Sequence, residues 1–480
     1  MSTFKLIPFA AAALLSACAS VGPDYHQPAA APITLNAVGS NEVKAEPFDQ
    51  RWWTQFGDAT LDKLIAKAAT DNLDLHSGGA RVAAARALVG ETQSNQLPTI
   101  DATASYTRNY AVQPSFTDFR VGVNQYRGGF DASWELDVFG GTRRAVESAR
   151  ASAQAALDDA HAGQVVVFAE VARNYFELRG AQRRLQIARD NLKSQQETLK
   201  LTQVRRELGR GIDQDVASAA ARVAATEAEI PSLESAERLA GNRLAVLVGE
   251  RPGALDAELK PLPEAAPPLA AVLNIGAAED FLARRPDVQA AERRLAAATA
   301  DIGVAVSDYY PHVRVGGFIG LFSGAAADLG DTASQAFSIA PSITWSGLNV
   351  KRINSRVAGR KAVAEAQLAN YNQAVLLALE DVEGALTRFD EQRKRLGLLR
   401  EQALQSRKAA DYAAIRYKEG ASDFLTLLDA QRSALAADDQ LAQGEAAINT
   451  AAIAVYKALG GGWQACADLA CTTLARNETR

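Results

Sequence analysis

Two blocks of this chain repeat one another at a fixed distance, and nothing else in the sequence constrains the fold as much. Trp134 returns as Trp345, Val171 as Val382, Arg184-Leu185 as Arg395-Leu396 and Arg189 as Arg400, at an offset of 211. Arg205, Gly209, Ala219 and Gly249 return in the same way as Arg416, Gly420, Ala430 and Gly460. Upstream the offset is 213, with Asp74, Arg81, Gly90, Ser94 and Pro98 returning as Asp287, Arg294, Gly303, Ser307 and Pro311. A repeat this long is a duplicated half-protein, not a short solenoid unit. Length alone suggests about three domains, but two halves built alike are expected to interlock.

The bulk properties remove several classes. With 51 basic against 56 acidic residues, the chain is a poor nucleic-acid binder. The four histidines, His26, His76, His161 and His312, are scattered without metal-ligand spacing. Neither a G-x-S-x-G elbow nor a phosphate-binding G-x-x-x-x-G-K-[ST] loop occurs. The reading is therefore a non-enzyme without metal or soluble cofactor. Beyond the N-terminus no stretch holds 18 uninterrupted apolar residues, so no spanning helix is expected.

The N-terminus reads as a targeting signal over 1–17, with Lys5 ahead of an apolar run from Leu6 to Leu15. It closes on Leu15-Ser16-Ala17-Cys18, which resembles the bacterial lipobox, so Cys18 is the expected lipidated residue. Residues 18–59 then form a Pro- and Ala-rich tether. The remaining cysteines, Cys466 and Cys471, lie in a C-terminal tail, 463–480. They are either a disulfide or two free thiols; the loop between them is too small for much stability to rest on it.

Four segments alternate with a period of two, at about 99–111, 126–138, 312–322 and 336–345. In the second, Tyr126, Phe130, Ala132, Trp134, Leu136 and Val138 alternate with Arg127, Asp131, Ser133, Glu135 and Asp137. Segments of about ten residues with aromatics near the ends match tilted transmembrane strands. The carboxylates of the second face would be intolerable in a dry core but suit a watered lumen. A lipid-embedded sheet must close, and closed barrels start at about eight strands. Four strands per chain therefore require oligomerisation, with two chains giving eight and three giving twelve.

Very long helical patterns separate the strands. The halves read as 60–255 (helix from 60 to 94, two strands, long helix 142–207, helix 214–248) and 256–462 (helix, two strands, long helix 351–417, helix 424–459). Leu178, Leu185, Leu192 and Leu199 recur every seven residues, matched by Phe389, Leu396, Ala403 and Ala410. Each long helix stops at a glycine turn, Gly209-Arg210-Gly211 or Gly420-Ala421-Ser422.

Taken together, these residues resemble the TolC-like outer-membrane factor family, in its lipoprotein branch called NodT-type. The matching pieces are Cys18 with Val21-Gly22-Pro23-Asp24-Tyr25, Trp52-Trp53 with Phe56, Asp58 and Leu61, and Arg284-Arg285-Pro286-Asp287. Further pieces are Ile302-Gly303 with Tyr310-Pro311, Arg416-Tyr417, Leu428-Asp429-Ala430-Gln431-Arg432 and Leu459-Gly460-Gly461-Gly462-Trp463. The resemblance implies a mixed α and β homotrimer: a twelve-stranded transmembrane β-barrel, four strands per chain, continuous with a long periplasmic α-helical barrel. It implies a passive exit duct in a Gram-negative outer membrane, docked to a periplasmic adaptor and an inner-membrane pump, most often of the resistance-nodulation-division type. The cargo would be drugs, toxic compounds or metal ions, and protein export by type I secretion is the alternative.

The family's gate lies at the periplasmic tip of the helices. Carried over, the aperture residues are Leu425 and Asp429, with Tyr417 and Lys418 as latch; Asp423 is near the same turn, and Asp213 and Asp215 lie on the equivalent turn of the first half. Three Asp429 carboxylates would favour cations and three Leu425 would form an apolar constriction. Where relatives often use Arg in the latch, Lys418 makes a less directional clamp. The alternative is that Asp423 and Asp429 only cap or solvate a helix end, with pore-lining the favoured reading for Asp429. A soluble periplasmic coiled-coil scaffold would explain the helices but has no use for two lipid-facing hairpins.

Overall fold

A computed structural model describes residues 20–28, 43–44, 49–112, 120–260, 273–274 and 281–467. Cys18 and Cys471 lie outside the described residues, as do the signal and residues 29–42 and 45–48 of the tether. The chain divides into two compact units. One is Met1–Ala29, Arg81–Leu157 and Ala290–Gln373; the other is Ala30–Ala80, Asp158–Gln289 and Ala374–Arg480. Each unit therefore takes its pieces from both copies of the repeat.

The first unit holds a four-stranded antiparallel sheet of order β1-β2-β3-β4: Thr99–Val112, Arg120–Leu136, His312–Ser323 and Gln335–Thr344. The sequence placed the second strand at 126–138, whereas it starts earlier and stops at Leu136. The reason for the early stop is Asp137, expected on the sheet's polar face. It instead caps the next helix, accepting from the backbone N–H of Thr142 at 3.1 Å and of Arg143 at 2.8 Å. Each hairpin is tied at its base in the same way. Trp134 Nε1 donates to the Gln96 carbonyl and Trp345 Nε1 to the Tyr309 carbonyl, both at 3.0 Å. Donor and acceptor keep the repeat offsets, so the duplication has preserved the bond and not only the residue.

Four helices carry the length. These are α3 (Gly141–Glu207, 67 residues), α4 (Asp213–Leu247, 35), α6 (Val350–Lys418, 69) and α7 (Phe424–Ala458, 35), numbered after α1 (Ala59–Asp71), α2 (Leu73–Ser94) and α5 (Pro286–Ser307). At ~1.5 Å per residue α3 and α6 are each about 100 Å long. The heptad seam is buried at Leu178, Leu185, Phe389, Leu396 and Ala403, with Ala181 and Ala188 between, but only half-buried towards the turns at Leu192, Leu199 and Ala410. Leu185 and Ala188 pack on Leu233 of α4. Gly209 and Gly420 end the long helices in the left-handed region, at φ of 71° and 75°, where a Cβ would be strained.

One expected helix is two. The pattern over 60–94 breaks at Asn72, which is extended at ψ 126°. Its amide donates to the Leu247 carbonyl at 2.8 Å while its Oδ1 accepts from the Leu75 N–H at 3.0 Å. In the second copy Arg285 stands at the same position and donates to the Ala458 carbonyl at 2.9 Å. Both thus close the last turn of the equivalent helix, α4 or α7.

The second unit's core is aromatic. Trp52 stacks on Tyr456 at 5.4 Å, Trp53 meets Phe168 at 5.5 Å and Phe56 meets Phe176 at 4.8 Å. Asp58 caps α1 through the N–H groups of Thr60 and Leu61 and also accepts from the Tyr175 hydroxyl. The WW-x-x-F run is thus a plug with a helix start attached.

Candidate channel wall and gate

The sheet's two faces differ as the alternation predicts. On one face Ile100, Tyr106, Tyr110, Phe130, Ile319, Phe337, Ile339, Ile343 and both hairpin tryptophans are exposed. A contiguous row of large apolar side chains needs lipid or a partner to cover it. The opposite face is a charge network. Arg127 donates to Asp131 at 3.0 Å, which also accepts from Thr103 at 2.6 Å, and Glu135 binds His312 at 2.8 Å and Arg314 at 2.9 Å. Two aromatics interrupt this polar face, Phe318 and the exposed Phe322. Phe318 lies under Arg127, 3.9 Å from the guanidinium carbon to the ring centre, and a Cβ at Gly129 or Gly320 would come within 2.9 Å of its ring. The paired glycines, Gly129 and Gly320, make the room.

The helix turns form a second locus, in the other unit. In the first copy Arg206 Nε donates to Asp213 at 2.8 Å across the turn, and both side chains are exposed. At the same two positions of the second copy stand Tyr417 and Phe424, with ring centres 5.7 Å apart. The duplicated staple is ionic in one turn and aromatic in the other. Tyr417, expected in a latch, is buried in a small core with Phe424, Leu427, Ala413 and Ala219, while Lys418 is exposed. Arg205, visible in the sequence only as the repeat partner of Arg416, joins the turns. It donates to the Tyr417 carbonyl at 2.7 Å and sits 4.5 Å from that ring's centre. Its counterpart Arg416 instead bonds Ala421 of its own turn.

The acidic candidates separate clearly. Asp423 is the N-cap of α7, accepting from the Thr426 N–H at 2.7 Å, and this backbone bond holds its carboxyl below the usual range. Asp429 is exposed and paired with Arg432 at 2.6 Å, and Leu425 is exposed. Asp213 and Asp215 occupy the first turn of α4, where negative charge complements the helix N-terminus. Among the described residues no group of His, Cys, Asp or Glu could hold a metal ion, and no helix is long and apolar enough to cross a membrane.

The profile of a family described as outer membrane efflux protein matches residues 64–250 and 277–461, the two copies of the repeat. The chain belongs to that family. This efflux protein is 30% identical to the pyoverdine export outer membrane protein OpmQ of Pseudomonas aeruginosa, over 97% of the chain and 98% of that relative. It is 32% identical to nodulation protein T of Rhizobium leguminosarum bv. viciae, over 94% and 93%. The solved outer-membrane channel OprN superposes with a TM-score of 0.89 at 42% identity, over 93% of this chain and all of that one. The four strands with their uncovered apolar face are therefore the outer-membrane part of an efflux channel.

Proposed function

We propose that three copies of this efflux protein close their sheets into one twelve-stranded barrel, anchored by lipid at Cys18, and form a passive exit duct. The observation that carries this reading is the sheet itself, with one face a row of exposed large apolar residues and both edges, β1 and β4, unpaired among the described residues. Such a sheet is stable in lipid only when closed. The duct would complete a tripartite system with a periplasmic adaptor and an inner-membrane pump of the resistance-nodulation-division type. Drugs, toxic compounds or metal ions would be its cargo, chosen by the pump.

The gate would lie at the helix turns, with Leu425 as the apolar constriction. Asp429 would act there as half of an ion pair, because Arg432 offsets its charge. Purified oligomers in planar bilayers test the placement. Leu425→Ala should raise single-channel conductance, and Asp429→Asn, which leaves Arg432 unopposed, should shift ion preference towards anions. Unchanged conductance and selectivity in both variants would refute it.

A further inference from the structure

Residues 20–28 are held against the first unit by contacts more specific than a tether requires. The Val21 N–H donates to the Phe139 carbonyl at 3.1 Å, and Arg144 Nε returns a bond to the Val21 carbonyl at 3.1 Å. Arg144, itself buried, also donates to Asp24 at 2.6 Å and to Glu147 at 2.8 Å. The Tyr25 hydroxyl donates to the buried carboxylate of Glu292, its ring packs on Ala151, Ala296 and Ala297, and Arg293 lies over it. Two glycines give the backbone its path. Gly22, at φ 92°, rests directly on the Cα of Gly303. Gly140, at φ 81°, admits Ser20, whose Cα would lie 2.7 Å from an added Cβ.

The repeat shows that this dock is built and not incidental. The copy of Gly303 is Gly90, which has nothing within 4 Å of where a Cβ would stand. At the positions of Glu292, Arg293 and Arg144 the other copy has Gly79, Ala80 and Ser355. The chain duplicated the helices but kept the receptor side chains at one place only. That place adjoins the base of the sheet, because Phe139 follows the end of β2 and its ring stacks on Tyr310, just before β3, at 4.7 Å.

We infer that residues 20–28 are a positioning strap, which docks on the folded start of α3 and along α5 from Glu292 to Gly303, and fixes the lipid-bearing end of the chain at the base of the sheet. Cys18 is two residues from Ser20, and two residues span at most about 7 Å, so a docked Ser20 confines the acyl anchor to that neighbourhood. The strap forms only where both helices are in place, which ties the anchor to the folded junction. The location of the anchor rests on the proposed lipidation of Cys18; the docking does not.

Hydrogen–deuterium exchange on the full chain in detergent, read on peptides covering 20–28, tests the docking. In the wild type the Val21 amide should exchange roughly a hundredfold or more slowly than in a free peptide. Asp24→Asn, a surface change that spares the fold, and Gly22→Ala, which strikes Gly303 without altering charge, should each lower that protection about tenfold. A photo-crosslinker placed at position 20 should join the peptide carrying Phe139, and lose that product in Arg144→Gln. Free-peptide exchange in the wild type, protection unchanged in both the Asp24 and Gly22 variants, or a crosslink that persists in Arg144→Gln, overturns the strap. Failure of wild-type acyl labelling with protection intact overturns the lipidation reading instead and leaves the docking standing.

Discussion

Asn72 and Arg285 occupy one position in the two copies and do one job by different chemistry. Each supplies the donor that the last turn of a long helix lacks. Asn72 is a neutral donor with a capping acceptor, and Asn72→Ala should cost about 1–2 kcal/mol of thermal stability. Arg285 adds bonds to Asp287 at 2.6 Å and Asp381 at 3.1 Å, so Arg285→Ala should cost more, about 2–3 kcal/mol. Melting curves of the two variants that coincide would contradict this ranking. His161 illustrates the opposite case, a titratable group stored at a cost. Its ring stacks on Trp463 at 4.3 Å, its nearest acid is Asp158 at 4.0 Å, and burial pushes its pKa down to about 4. The native state therefore stays unprotonated at a pH where the unfolded chain, titrating near 6.5, binds a proton. Stability should fall as pH drops from about 7 to 4, by up to about 3 kcal/mol from this residue. His161→Phe should flatten that part of the melting-versus-pH profile.

At the scale of elements, the turns show what duplication kept and what it changed. Gly209 and Gly420 preserve the backbone stop, while Arg206–Asp213 became Tyr417–Phe424 at the same places. An exposed ion pair contributes at most about 1 kcal/mol and is screened at 1 M salt, where the Debye length is about 3 Å. A buried ring pair is not screened. Raising salt should therefore speed amide exchange across the first turn and leave the second unchanged; equal responses would show that the staples do not differ. These turns also mark how far the sequence could be read. Helix ends were legible because glycine at a positive φ is a local signal. The strands were legible because period two is local as well. What stayed hidden depends on distant partners. Nothing beside Asn72 announces that it breaks a helix in order to reach Leu247, and Asp137 continues a perfect alternation while serving the helix that follows. Tyr417 reads as a surface latch until Ala219 is seen beneath it. Arg205, the residue that bridges the turns, was visible only as one half of a repeat match.

At the scale of the molecule, each compact unit is assembled from both copies, so neither copy is a folding domain by itself. Expressing residues 256–462 alone should yield a chain without cooperative melting, since α7 would lack Trp52 and the sheet would lack β1 and β2. The unpaired borders of the sheet carry a further consequence. Among the described residues, the fourteen of β1 and the ten of β4 each offer a row of backbone groups without a partner strand. Once rings close, the front border of one copy is read only by the rear border of the next. A cell that makes several such channels has to sort newly exported chains by kind. The fit between these two borders, more than any long helix, is where one kind would recognise its own.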